Sequence, residues 1–370
     1  MPILRRAFAL AAIAAMTLLV TACERKITLD KITNVQLVQG AQSCFACHSD
    51  SPADTLHLVA AEQQWEHSKH ASGGTLNEND GQCKNCHTSE GYVARAGTCT
   101  PFTVSDNSVI ANPTSINCFT CHAPHTNGDF RLRWTCITTL QTGVAFDLHE
   151  GNLCASCHQS RRNVKTYITA STTLSTRWGP HHGPQGDMLI GSNGYEYAGF
   201  TYEQTNHKGA TTQNGLNGCI ECHMKTTSQN VVGGHSWNMA YDLGGTEVLN
   251  TDACTPCHGV ISDFSDVKLG ANSVQDSVAT LLGTLRSQLV TAGLLNDTGT
   301  DADLPTAVTT SADSAGAVWN YLVVEADRSD GVHNAKYIIG LLNSSIQFLS
   351  GGAPAPRPAP PTRVVAMRRR

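Results

Sequence analysis

Gly151-Asn152-Leu153-Cys154-Ala155-Ser156-Cys157-His158 is the stretch on which the reading of this chain turns. Two thiols three positions apart, followed at once by an imidazole, make the pattern Cys-x-x-Cys-His. It is the attachment signature of a c-type haem. The thiols add to the two vinyl groups of one porphyrin, and the imidazole ligates its iron. A lone Cys-x-x-Cys is also a redox dithiol or half of a zinc site. Here the full pattern occurs six times. In chain order the sites are one, Cys44, Cys47 and His48; two, Cys83, Cys86 and His87; and three, Cys118, Cys121 and His122. Site four is Cys154, Cys157 and His158; five is Cys219, Cys222 and His223; six is Cys254, Cys257 and His258. They account for twelve of the 15 cysteines, and the cofactor they imply is six haem c groups with their iron.

Composition agrees with that reading. Only 40% of the 370 residues are hydrophobic and 6% aromatic, below the roughly 45–50% apolar share of ordinary globular domains. Haems supply the missing apolar core. The motif histidines follow one another at 39, 35, 36, 65 and 35 positions with no matching sequence between them, so a solenoid is not expected. At that density each macrocycle must touch another. The expected fold is mainly α and irregular, a haem-packed multihaem cytochrome c with little regular secondary structure, plus C-terminal helices. The formal net charge of −5 offers no basic footprint for nucleic acid.

Arg5 and Arg6 precede an uncharged, mostly apolar run from Ala7 to Val20, which reads as a secretory signal too short to span a membrane. Val20-Thr21-Ala22-Cys23 has the form of a bacterial lipobox, so Cys23 is the expected lipidation site and residues 1–22 the lipoprotein signal peptide. Losing Arg5 and Arg6 takes the formal charge from −5 to −7. Glu24 after the cysteine leans towards the outer membrane. The expected localisation is thus the cell envelope, with the protein held to a membrane by a lipid. A linker at 23–40 leads into a hexahaem domain at 41–260.

Ten histidines remain for the sixth coordination positions. Six of them would close all six irons as bis-His. Context selects His70, at the end of a helix-like stretch carrying Trp65, and His125, in Cys-His-Ala-Pro-His. It also selects His207 and His235, which flank the fifth motif. His181 and His182 are chosen from Gly-Pro-His-His-Gly-Pro, a turned and stiff segment. Adjacent side chains of an extended segment point to opposite sides, so these two are expected to meet different haems. His333 is held in reserve, at the start of a predicted helix. His57, His67 and His149 are read as solvent-facing or outer-shell residues.

At these residues a resemblance becomes visible. Trp65 to Ala71, Cys118 to His125, Asn152 to His158, Pro180 to Gly191, Cys219 to Met224 and Gly233-Gly-His-Ser resemble multihaem c-type cytochromes of metal-reducing bacteria. The likeness is particularly to the outer-surface group, which includes filament-forming hexahaem cytochromes. Ser329 to Tyr337 is instead similar to a helix start in pentahaem nitrite reductases, where the histidine is a distal ligand. The resemblance implies bis-His haems in a stacked chain that relays electrons to other redox proteins or extracellular acceptors. It leaves homo-oligomer or filament assembly open. No histidine precedes Cys44 to ligate a haem of a neighbouring subunit, which is the device some filament formers use.

Cys99 and Cys136 flank the third motif, an even pair in an oxidising compartment, and form the disulfide candidate. From about residue 260 the chain has helical periodicity, with Val274, Val278, Leu281, Leu285 and Leu289 on one face. Ala312 to Asp327 and Asn334 to Leu349 read as two further helices, the first capped by Ser311. Residues 261–350 are therefore expected as a C-terminal helical region, and 351–370, rich in Pro and Arg, as a disordered tail. Every motif ends in His and no catalytic residue stands out, so an electron-transfer protein is expected rather than an enzyme. The alternative is an oxidoreductase acting on nitrite, hydroxylamine or a sulfur oxyanion through one haem with an open position.

Overall fold

The computed structural model describes residues 58–72, 76–104, 106–127, 129–205, 207, 217–297 and 304–352. The signal segment, Cys23, all of the first motif (Cys44, Cys47 and His48), His57 and the 353–370 tail lie outside them. Short helices and two-stranded pairings joined by loops make up the haem-motif region, as expected for a chain whose core is shared with cofactors. Six longer helices are named here: α1 (Leu58–Glu66), α2 (Ser89–Ala96), α3 (Gln185–Ile190), α4 (Val274–Thr291), α5 (Ala312–Asp327) and α6 (Ala335–Leu349). Among the described residues no helix is long and apolar enough to cross a membrane.

The three C-terminal helices form where cap and periodicity agree. Ser273 caps α4, accepting from the Asp276 amide at 3.3 Å, and the helix buries Val274, Val278, Leu285 and Leu289. Ser311 caps α5 through the Ser314 amide at 3.2 Å. Such side-chain caps satisfy amides that no helical carbonyl reaches. α5 is buried along most of its length, from Ala315 to Asp327, which makes it the central element. α6 turns Ile338, Leu341 and Leu342 inward.

These helices do not form a separate core beyond residue 260. Their buried residues join one cluster with Val164, Ile168, Leu174, Trp178 and Met188 from the motif region. Ser171–Leu174 pairs antiparallel with Val308–Ser311, from Ser171 opposite Ser311 to Leu174 opposite Val308. Trp319 is fully buried, edge-on to Trp178 at 5.9 Å, with its indole N–H donating to the Asn193 carbonyl at 2.7 Å. The apolar faces of α4–α6 need a partner, and residues 164–190 supply it.

Polar side chains from α5 and α6 then pin the loop that follows α3. Asn320 accepts from the Tyr195 amide at 2.8 Å and donates to the Tyr195 carbonyl at 2.9 Å, closing a strand-like pair with one side chain. The Gly194 amide donates to the Tyr337 hydroxyl at 3.0 Å. A Cβ at Gly194 would come within 2.5 Å of Leu341, so this close approach requires glycine. Asn334 accepts from the Thr205 amide at 2.9 Å, two residues before His207. Smaller clusters flank the motifs, one of them built on Tyr92, Ala96 and Trp134 beside Cys157. Cys99 and Cys136 in that cluster are joined by a disulfide, their Cα atoms 6.2 Å apart.

Candidate haem sites

Each described motif lies on a single helical turn. In sites two, three, four and six the histidine amide donates to the carbonyl of the first cysteine, at 2.8–3.0 Å. Residues three and four apart on a helix share a face, so the turn sets both thiols and the imidazole around one volume. At the third site Asn117 caps the turn Cys118–Cys121, and Thr120 reaches back to the Asn117 amide, a capping box that fixes where the turn begins.

The motif cysteines within the described residues are free of disulfides, as thioether formation requires. Cys83, Cys86, Cys118, Cys121, Cys154, Cys157, Cys219 and Cys254 are half-buried, whereas Cys222 and Cys257 are exposed. Of these two, Cys257 lies in the more open motif, where every residue from Thr255 to His258 is exposed. Val260 just beyond that turn is 94% exposed. The sixth site sits at the rim of the described chain, with little polypeptide over its second thiol. Cys47, with Cys44, belongs to the first motif and lies outside the described residues, so the thioethers expected there stand on the sequence pattern alone.

Opposite every described motif histidine stands one histidine from a distant part of the chain. His87 faces His181 with ring centroids 6.1 Å apart, His122 faces His235 at 6.4 Å, and His158 faces His70 at 6.1 Å. His223 faces His333 at 6.3 Å, and His258 faces His207 at 6.2 Å. An imidazole nitrogen binds a first-row metal ion at about 2.0–2.1 Å with its ring centroid about 1.1 Å behind, so two imidazoles on one iron have centroids about 6.2–6.4 Å apart. Three of the five pairs fall in that range and the other two, at 6.1 Å, lie just below it. Two thiols and two imidazoles per site are a donor set that would fit a c-type haem. Among the described residues no group of three or more His, Cys, Asp and Glu converges on a bare metal ion.

Outer partners orient the rings. Nδ1 of His122 donates to the Phe130 carbonyl at 2.6 Å, and Nδ1 of His207 to the Val332 carbonyl at 2.6 Å. His223 donates to the Trp237 carbonyl at 2.9 Å, and His158 to the Gln185 side-chain oxygen at 3.1 Å. His333 donates to the Asp327 carboxylate at 2.7 Å. With Nδ1 so engaged, Nε2 is the nitrogen left for iron. Burial lowers the pKa of His70, His181 and His223 to about 4, which keeps them as the neutral imidazoles a metal requires. Burial also lowers those of His87, His122, His207 and His235. At His333 burial opposes protonation, but the Asp327 carboxylate outweighs it and the pKa rises.

Two expected distal residues are not brought to any described motif histidine. His125 is exposed and lies 5.7 Å from the Phe119 ring. His182 is exposed and packs 5.5 Å from His181. The expectation of opposite sides fails because the segment is not extended: His181 has φ of 72°, in the left-handed region. That turn brings both rings together and presents only His181 to His87. His333, the reserve residue, instead faces His223 at the fifth site. His67 donates to the Gln63 carbonyl and stacks edge-on with Tyr241, and His149 is exposed.

The sites also touch one another. The Cys86 and Cys157 thiols lie close enough to perturb one another, as do those of Cys154 and Cys219, so site four borders sites two and five. Trp237 lies 4.8 Å from the His70 ring and 5.8 Å from that of His235, and its carbonyl holds His223. It thereby packs between ligand candidates of sites three, four and five. Trp237, Gln185 and Asp327 carry no sequence signal, since nothing in their spacing from the motifs marks them.

No family model matches the chain. It is 25% identical over 337 aligned positions to the c-type polyheme cytochrome OmcC of Geobacter sulfurreducens, covering 74% of this chain and 43% of that protein. To the c-type polyheme cytochrome OmcB of the same species it is 24% identical over 388 positions, covering 87% and 50%. The chain spans about half the length of the curated relatives it matches. Among solved structures, the outer cell wall cytochrome OcwA superposes with a TM-score of 0.45 at 21% identity, covering 77% of this chain and 49% of that one. An undecaheme cytochrome from the S-layer of Carboxydothermus ferrireducens gives 0.46 at 17% identity, covering 85% and 46%.

Proposed function

We propose that this chain, similar to multihaem c-type cytochromes, relays electrons through six covalent haems, each held between two histidines, with no catalytic site. The observation that carries this reading is the set of five imidazole pairs at 6.1–6.4 Å, each joining one motif histidine to one distant histidine. His48, His87, His122, His158, His223 and His258 are the proximal ligands. The distal ligands of sites two to six are His181, His235, His70, His333 and His207, in that order. For site one, whose thioethers fall on Cys44 and Cys47, His125 and His182 remain the candidates.

Each haem, when bound, supplies a one-electron iron couple, low in potential because no Met ligates it. The chain's own residues do the rest. The thiols fix each porphyrin's position along its turn, the outer hydrogen bonds hold ring orientation, and burial keeps the imidazoles neutral. Contacts between Cys86 and Cys157 and between Cys154 and Cys219 support close neighbouring haems at sites two, four and five. The exposed Cys257 supports site six as a haem near the surface, where an external redox partner could approach it. Residues 5–23 support export to the cell envelope and a lipid anchor at Cys23. The electron partners are then other redox proteins or extracellular acceptors.

Mass spectrometry and carbon monoxide test this together. The intact mass should exceed the mature polypeptide by six haem masses, and carbon monoxide should leave the spectrum of the reduced protein unchanged. Fewer haems would break the assignment. A carbon monoxide shift would reveal an open iron and favour an oxidoreductase.

A further inference from the structure

The distal imidazole of the fifth site leans on a different kind of partner from the proximal rings of sites three, four and five and the distal ring of site six. Nδ1 of His122, His158, His207 and His223 meets a neutral acceptor, either a backbone carbonyl or the Gln185 amide oxygen. Nδ1 of His333 meets the Asp327 carboxylate, whose side chain is 1% exposed. We propose that Asp327 is a positioning residue that tunes the haem of site five, holding its reduction potential below the value a neutral acceptor on His333 would give. The inference rests on His333 being the distal ligand of that site.

The physical reason is charge. A buried carboxylate accepting the Nδ1 proton makes the imidazole a stronger electron donor to the iron. It also places negative charge close to a group that gains an electron on reduction, in surroundings where charges are weakly screened. Both effects favour the oxidised iron. On reduction of a haem held there, the electron would come from a redox neighbour and the Nδ1 proton would stay between His333 and Asp327.

The carboxylate is held from several sides. It ends α5, where Arg328 takes φ of 55° and turns the chain back. The Ser329 hydroxyl donates to the carboxylate, and the His333 amide donates to that hydroxyl at 3.3 Å. Gln185 donates to the Ala326 and Asp327 carbonyls at 3.1 and 3.3 Å. Its oxygen accepts from His158 at 3.1 Å. One side chain therefore ties the proximal ring of site four to the backbone that presents Asp327 to site five. Such a fixed acceptor suits tuning, because a mobile one would average its effect away.

Potentiometric titration of the full holoprotein, read optically and by electron paramagnetic resonance, tests the proposal in Asp327→Asn, Asp327→Glu and Ser329→Ala. In Asp327→Asn one haem of the six should become easier to reduce by about tenfold, a rise of about 59 mV for one electron, while staying low-spin. Asp327→Glu should recover part of the shift. Ser329→Ala removes a donor that drains the carboxylate's charge and should move the same haem the opposite way. It also covers the case in which Asp327→Asn fails to fold. An unmoved set of midpoints in folded, low-spin Asp327→Asn would overturn the proposal, as would a positive shift in Ser329→Ala. His333→Ala separates the two layers: if it leaves all six haems low-spin, the ligand assignment has failed, whatever Asp327 does.

Discussion

Replacing His181 by Ala, with His182→Ala beside it, puts the ligand geometry to its sharpest test. The two residues are neighbours in sequence, share one stiff loop and differ in what they face. His181 stands 6.1 Å from His87, while His182 stands 5.5 Å from His181 and is exposed. Gly179 at φ of 133° and Gly183 at φ of 104° bracket the pair, and Pro180 and Pro184 further limit its backbone. The loop therefore has little freedom to swing His182 into the place of a missing His181. His181→Ala should convert one haem of six, about one-sixth of the total, from low to high spin. His87 and both thioethers remain, so the haem count should not change. Electron paramagnetic resonance would show a high-spin signal of about that share, and added imidazole should restore the low-spin spectrum. His182→Ala should leave the second haem low-spin. The reasoning is refuted if His181→Ala keeps every haem low-spin and the double variant does so too, since no histidine of that loop would then ligate.

Asp187 is buried with its Oδ1 lacking a hydrogen-bond partner among the described residues, and burial pushes its pKa up to about 7. The folded value lies above the unfolded one of about 3.9, so stability should fall as pH rises from about 4 to about 7. Asp187→Asn should raise the melting temperature at pH 8 and leave it nearly unchanged at pH 4; equal melting temperatures at pH 8 would count against it. Trp319→Ala removes the centre of the C-terminal core and should cost about 3–5 kcal/mol, read as a lower midpoint in denaturant by circular dichroism, with Trp319→Phe far milder. Labelled fatty acid should enter the wild type and not Cys23→Ala; equal labelling would remove the lipid anchor.

What could be read in the sequence follows from how locally each feature is determined. Thioether chemistry demands its two cysteines and histidine within one short run of chain, so the attachment motifs are explicit in the text of the sequence. How deeply each thiol sits is not local, and nothing in the sixth motif announces that Cys257 is exposed. Helices α4 and α5 are nearly as plain as the motifs, because cap and periodicity are local too: Ser311 caps α5 over Ala312–Asp327, the range its pattern predicts. A distal imidazole has no such constraint. Iron requires only that some ring arrive from the far side, and the fold can bring it from any distance along the chain. His207 and His235 both flank the fifth motif, yet they face His258 and His122. The pair His181-His182 misleads because the extended-chain rule fails at a residue with positive φ, which a sequence rich in Gly and Pro only hints at.

The helices beyond residue 260 contribute more than a cover for apolar surface. Between α5 and α6 runs the turn that carries His333, and the same turn offers the Val332 carbonyl that orients His207. Two of the five described imidazole pairs therefore depend on one short connection, one for its ring and one for the direction of its ring. That connection is fixed in turn by the core around Trp319, by the α5 end at Asp327, and by Asn334 on Thr205. Loosening the core should reach sites five and six before it reaches site three, whose pair His122–His235 draws on neither helix. The apolar packing of α4–α6 and the placement of the last two imidazole pairs are in this sense one structural problem. A chain with so small an apolar fraction solves it by making the turn between two helices serve both.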